Sequence, residues 1–122
     1  GFDSVLRDYV EKGGVLVGVS AGSMVMSPKI DVGAVDDDME GTLNEIGLTD
    51  LTAMGLSGFE FFPHLNKDVD ELTKRLKVYS KIEDSVVYAC QDGDGIVVNG
   101  DDIQFIGDVL KFENGEVTNM GA

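Results

Sequence analysis

The chain has 122 residues, enough for one domain with a real core, and its 43% hydrophobic and 26% charged residues describe a folded globular sequence. A net charge of -14 repels nucleic acid and anionic membrane surfaces, so neither is expected as a partner. One cysteine, Cys90, excludes an intramolecular disulfide framework and, with a single histidine, makes a structural zinc site unexpected.

In chain order, Phe2, Val5, Leu6, Tyr9 and Val10 recur at helical spacing, with Asp3, Arg7, Asp8 and Glu11 on the other face. Gly13-Gly14 supplies a stop for that helix and the entry to the next element. Val15 to Val19 is short, β-branched and apolar on both faces, which predicts a buried central parallel strand covered by helices. It leads directly into Gly18-x-Ser20-x-Gly22, the spacing of a nucleophile elbow. A serine on a sharp strand-to-helix turn has a strained backbone and needs small neighbours two residues away. Its hydroxyl then stands clear of the sheet, and the N–H of Ala21 points to where an oxyanion would form. Ser20 is the candidate nucleophile. An ordinary tight turn with an incidental serine fits the pentapeptide equally well.

Helix, glycine turn, strand and elbow make half of a βαβ unit, with no earlier strand for the first helix to connect from. The chain is therefore expected to be the single C-terminal portion, residues 1–122, of a larger α/β domain. Ala21 to Ser27 reads as a short helix stopped near Pro28. Residues 31 to 50 are acidic and weakly periodic, which suits a solvated loop. Within it Asp36 lies just beyond the elbow helix, where a carboxylate could orient a histidine.

A turn-rich connection from Gly47 to Gly58 precedes Phe59-Glu60-Phe61-Phe62, a strand that ends at Pro63-His64. Lone histidines are more often structural than catalytic. His64, however, follows a strand, where loops of α/β sheets form sites, and a serine nucleophile needs a base that only this side chain can supply. Val69, Leu72, Leu76 and Tyr79 then mark the core face of an amphipathic helix, acidic at its start and basic at its end.

Ser85 to Cys90 reads as another apolar strand, opening into Gln91-Asp92-Gly93-Asp94-Gly95. This is not an EF-hand loop, because its twelfth position is Ile103 rather than a glutamate. Asp92 closes the strand at the edge expected for the His64 loop and could accept from the Nδ1–H; plain turn chemistry explains it as well. Ile96 to Val98, Ile103 to Ile106 and Leu110 to Phe112 follow as short strands, with hairpin turns at Asn99-Gly100 and Asn114-Gly115. Cys90 reads as a small buried hydrophobe.

Ser20, His64 and Asp92, in that order, bring a family into view. The chain resembles the peptidase E (aspartyl dipeptidase) and cyanophycinase family of serine peptidases. The resemblance is carried by Gly18-Val19-Ser20-Ala21-Gly22-Ser23, Pro28-Lys29-Ile30 with Asp36 following, Gly47-Leu48, Phe61-Phe62-Pro63-His64-Leu65-Asn66, the Asp92-Gly93 turn and the hairpins from Ile96 to Gly100 and from Ile103 to Gly107. It spans nearly all of this chain but about the C-terminal half of a family member. The resemblance implies a class I glutamine amidotransferase-like fold: an α/β three-layer αβα sandwich with a mainly parallel sheet and C-terminal β-hairpins. It implies Ser20 as nucleophile, His64 as general base, and an acid at the turn that Asp92 matches. A second acid of the family falls near Asp36. No metal or organic cofactor is implied.

Two departures matter. The family's aspartyl dipeptidases are similar in bearing an arginine-containing stretch after the histidine loop, suited to an acidic side chain. Here that stretch is Asp68-Val69-Asp70-Glu71, which would repel such a substrate. The glycine-rich N-terminal segment that gives the family a second oxyanion N–H has no counterpart. The expected function is hydrolysis of short peptides through an acyl-enzyme. The alternatives are an esterase with a GxSxG elbow, in which Asp36 would precede the histidine, and a non-catalytic fragment or binding module of the same fold. As a fragment, the chain is expected to associate with a missing N-terminal half or with itself. The absence of a run approaching the roughly 20 apolar residues of a membrane span, and of a basic-then-apolar leader, adds the expectation of a cytoplasmic protein.

Overall fold

Alternating faces organise the C-terminal sheet of the chain, whose computed structural model describes residues 1–36 and 47–121. Strands β1 (Glu60–Phe62), β2 (Val87–Ala89), β5 (Leu110–Glu113) and β6 (Glu116–Asn119) form one sheet in that spatial order. Along β2, Val87 and Ala89 point to one side, where they join Phe62, Leu72, Leu76 and Phe112 in the main core. Tyr88 and Cys90 point to the other side, where Phe59 and Val109 join them. This is the period of two expected of a strand buried on both faces.

Each face has a different cover. Helix α3 (Val69–Ile82) lays Leu72 and Leu76 on the first face, and the 3-10 turn Asp31–Val35 adds Val32. Helix α3 is also the crossover that lets β1 and β2 run parallel, paired Glu60 to Val87 and Phe62 to Ala89. The second face is covered by a separate hairpin of β3 (Gly95–Asn99) and β4 (Asp102–Ile106), through Ile96, Ile103 and Phe105. Tyr88 makes an edge contact with Phe59 and a tilted one with Phe105 there. The turns at Asn99-Gly100 and Asn114-Gly115 lie where the hairpins require positive φ, which Gly100, Asn114 and Gly115 adopt.

Three expectations change. The sheet is not mainly parallel among the described residues, because β2–β5 and β5–β6 are antiparallel; the tight turn at Asn114-Gly115 leaves β6 no other direction. The elbow helix α2 ends at Met24 rather than Ser27, since Met26 and Ser27 donate to carbonyls three residues back and tighten the exit. The acidic stretch after Pro28 is not all solvated: Val32 and Gly33 are buried, while residues 37–46 of the stretch expected as a solvated loop lie outside the described residues.

A fourth correction concerns the segment Val15 to Val19. It is extended, but no described strand pairs with it. Val15, Val17 and Val19 are 77%, 84% and 78% exposed, so the side meant for a core that carries them faces solvent, while Leu16 and Gly18 between them are half-buried. Helix α1 (Phe2–Glu11) forms as its spacing predicts, yet none of its residues is buried. Its apolar stripe stays largely open: Phe2, Val5, Tyr9 and Val10 are exposed, and Leu6 is half-buried. No described helix is long and apolar enough to cross a membrane.

Candidate active site

Three chain segments converge at the C-terminal end of β1. The first is the elbow. Ser20 caps α2 (Ala21–Met24) with φ 53° and ψ -120°, a conformation that a non-glycine residue adopts only under constraint. The constraint is visible: Gly22 and Ser23 donate to the carbonyls of Val19 and Ser20, closing the turn beneath the serine. A Cβ at Gly18 would come within 2.8 Å of the backbone of Gly22 and Ser23, so this position must be glycine. At Gly22 a Cβ would meet nothing among the described residues, so the steric reason given for the motif holds for its first glycine and not its last. The Ala21 N–H is left out of the turn's own hydrogen bonds.

The second segment is the loop after β1. Beyond Phe62 the parallel ladder continues, with Cys90 N–H on the Phe62 carbonyl at 3.0 Å and Leu65 N–H on the Cys90 carbonyl at 2.9 Å. These bonds hold the His64 loop against the third segment, the Asp92 turn. His64 sits at φ 61° between Pro63 and the buried Leu65. Buried Ser27, which the sequence reading had placed in the elbow helix without a role, accepts the Phe61 N–H on its hydroxyl at 3.1 Å and ties the elbow's exit to β1. Nothing in its local pattern distinguishes Ser27 from other small residues near a proline.

The result is a continuous hydrogen-bonded relay. Ser20 Oγ lies 2.7 Å from His64 Nε2, and His64 Nδ1 lies 2.6 Å from Asp92 Oδ1. A carboxylate can only accept, so Nδ1 carries the proton and Nε2 is free to accept from the serine hydroxyl. The His64 hydrogen bond is the main cause holding the Asp92 carboxyl below its ordinary value, outweighing partial desolvation, with Asn66 assisting. Asp36 follows the 3-10 turn at Asp31–Val35, and the Nδ1 position is taken by Asp92. The relay is open to solvent, with His64 57% and Asp92 66% exposed.

Behind it the chemistry is quiet. Cys90 is buried, and burial with the nearby Asp94 charge pushes its thiol up to about 11, so it does not compete as a nucleophile at neutral pH. Buried Glu60 accepts the Tyr79 hydroxyl at 2.7 Å, linking β1 to α3, and burial followed by that bond raises the Tyr79 pKa. The strand alternation placed Glu60 among apolar neighbours without indicating this partner.

A serine, a histidine and a carboxylate thus stand in series on a mixed α/β fold. The family model of Peptidase family S51 matches residues 1–106, and the chain belongs to that family. Among its relatives, the chain is 27% identical over 104 residues to an uncharacterized peptidase, Lmo0363, of Listeria monocytogenes serovar 1/2a (strain ATCC BAA-679 / EGD-e), covering 84% of this chain and 49% of the relative. A 1.5 Å crystal structure of a candidate peptidase E protein from Listeria monocytogenes EGD-e superposes with a TM-score of 0.65 at 24% identity, covering 86% of this chain and 48% of that one. The fold is shared, and this chain spans about half the length of each.

Proposed function

We propose that this chain supplies the catalytic half of a serine-type peptidase of dipeptidase or exopeptidase character. The observation that carries the reading is the relay Ser20–His64–Asp92, with both contacts at hydrogen-bond distance and the serine on a strained elbow. In the reaction, His64 Nε2 takes the hydroxyl proton as Ser20 Oγ attacks the peptide carbonyl carbon. The tetrahedral oxyanion is held in part by the Ala21 N–H. His64 returns the proton to the leaving amine, the C–N bond breaks, and water resolves the acyl-enzyme by the same steps in reverse. Asp92 keeps the imidazole in the productive tautomer and stabilises its charged form. The chain order serine, histidine, acid speaks against an esterase of α/β-hydrolase type, where the acid precedes the histidine.

The complete domain, in this reading, is a three-layer αβα sandwich of the class I glutamine amidotransferase type. Its other half places parallel strands beside Val15–Val19, covers α1 and contributes a second oxyanion donor. The unpaired, exposed valines and the open relay support this, because triad acids are ordinarily shielded from water. A single cysteine is compatible with a cytoplasmic setting, where disulfides are rare. Substrates are short peptides without a preference for acidic residues, since Asp68, Asp70 and Glu71 follow the His64 loop directly. The same exposed strand favours the second reading, in which this chain alone is a non-catalytic module that binds a complementary chain or itself. A fluorophosphonate probe separates the two. Labelling at Ser20 that disappears in His64→Ala supports the peptidase; a folded protein left unlabelled supports the module.

A further inference from the structure

We propose that Asn66 is a positioning residue that clamps the Asp92 turn onto His64, so that the carboxylate meets Nδ1 in a single geometry. The proposal rests on the peptidase reading of the relay and adds a fourth residue to it. Asp92 lies on a turn three residues beyond the end of β2, next to Gly93 at φ 102°, and its side chain is two-thirds exposed. Exposed ion pairs between flexible groups are weak because ordering them costs entropy. A catalytic carboxylate in such a place needs its backbone fixed by something else.

Asn66 supplies that fixation. Its Oδ1 accepts the backbone N–H of Asp92 at 2.9 Å, while its own N–H donates to the His64 carbonyl at 2.7 Å. One residue therefore grips the acid and the base together. Leu65 N–H on the Cys90 carbonyl brackets the same crossing from the other side, at 2.9 Å. The His64–Asp92 bond thus lies between two ties that join residues 64–66 to residues 90–92. On the far side of the turn, Asp94 accepts the N–H groups of Gln91 and Asp108, so the turn cannot rotate toward solvent to escape the clamp. The bonds of Asn66 go to Asp92 and to the His64 backbone rather than to Ser20, so it acts through Asp92.

The test reads His64 by proton NMR in the full-length protein, alongside turnover of short peptides. The hydrogen-bonded Nδ1–H gives a downfield signal, assigned by its disappearance in His64→Gln. Asn66→Ala is expected to lose or shift that signal upfield through faster exchange with water. It is also expected to lower kcat by roughly 10- to 100-fold, as other orienting partners behind a functional side chain do, with KM little changed. Asn66→Asp keeps an acceptor oxygen at the same reach but loses the amide that assists the Asp92 carboxylate and adds a like charge, so it is expected to restore the signal and the turnover only in part. In an Asp92→Asn background, Asn66→Ala is expected to cost nothing further. A folded Asn66→Ala with the parent signal, or a loss of full size in the Asp92→Asn background, overturns the proposal. If Asn66→Ala does not fold, Asn66→Ser, whose hydroxyl stops one bond short of the acceptor position, must show the same loss of signal or the clamp is wrong. Failure of the peptidase reading shows separately, as a parent protein with no peptide turnover and no fluorophosphonate labelling; the Nδ1–H signal then still decides whether Asn66 holds the pair.

Discussion

The two ends of this chain are both rich in apolar residues and differ in what they achieve. Residues 59–121 bury Phe62, Leu76, Val87 and Phe112 to 1% exposure or less and satisfy their backbone in two sheets. Residues 2–19 form the helix and extended segment their sequence encodes, yet bury no α1 residue and pair with no described strand. The difference lies in partners. A hairpin carries its own partner a few residues away, and β1 finds β2 across one helix. A central parallel strand needs neighbours on both sides, and none of the described segments supplies them. Ser20, the proposed nucleophile, sits at the junction of the two regions, attached to the uncovered one and bonded to the packed one.

The largest effect should come from breaking that junction chemically. Ser20→Ala and His64→Ala are each expected to lower turnover by roughly 10⁴- to 10⁶-fold, and the double variant by little more than either. Steady-state kinetics with short peptides measure this; additive losses would mean the two do not work as a unit. Asp92→Asn should cost more than Asp36→Asn through the wrong histidine tautomer, and the reverse ranking would move the acid's role to Asp36.

Next in size is the mechanical contrast. Leu76→Ala, at a fully buried site of the packed region, should destabilise by about 2–5 kcal/mol in urea melts. Val17→Ser, in the uncovered segment, should change the melting of residues 1–122 by much less, while lowering their tendency to self-associate on a sizing column. Adding the complementary half in trans should make Val17→Ser costly and raise turnover of the parent. A monodisperse, monomeric chain with full peptidase turnover would remove the distinction between the regions.

The smallest expected effect is a pH dependence. The folded value of Asp92 lies below the ordinary 3.8, so its contribution to stability is present above that value and is lost as pH falls through the lowered one. The stability gap between parent and Asp92→Asn should therefore close only at the acid end. A gap that closes near neutral pH would show that the carboxylate is not held by His64.

The sequence by itself determined what is local. Spacing encoded α1 and the Leu72–Leu76 face of α3, Asn-Gly pairs encoded the hairpin turns, and Gly18-x-Ser20 encoded an elbow, because 3.6-fold periodicity, positive φ and steric contact within five residues act over short stretches. Ser20 and His64 could be singled out by chemical type, since only one histidine was available, while Asp92 and Asp36 both stayed open as the acid. Only the tertiary structure could decide which carboxylate meets Nδ1, that Ser27 and Asn66 tie the loops together, and that the second sheet face is covered by a hairpin rather than a helix. Those outcomes depend on contacts between residues 26 to 44 positions apart, as in Ser20–His64 and Asn66–Asp92. The exposure of Val15–Val19 belongs there too: hydrophobicity makes a segment fit for burial, and whether it is buried depends on the surface that arrives to meet it.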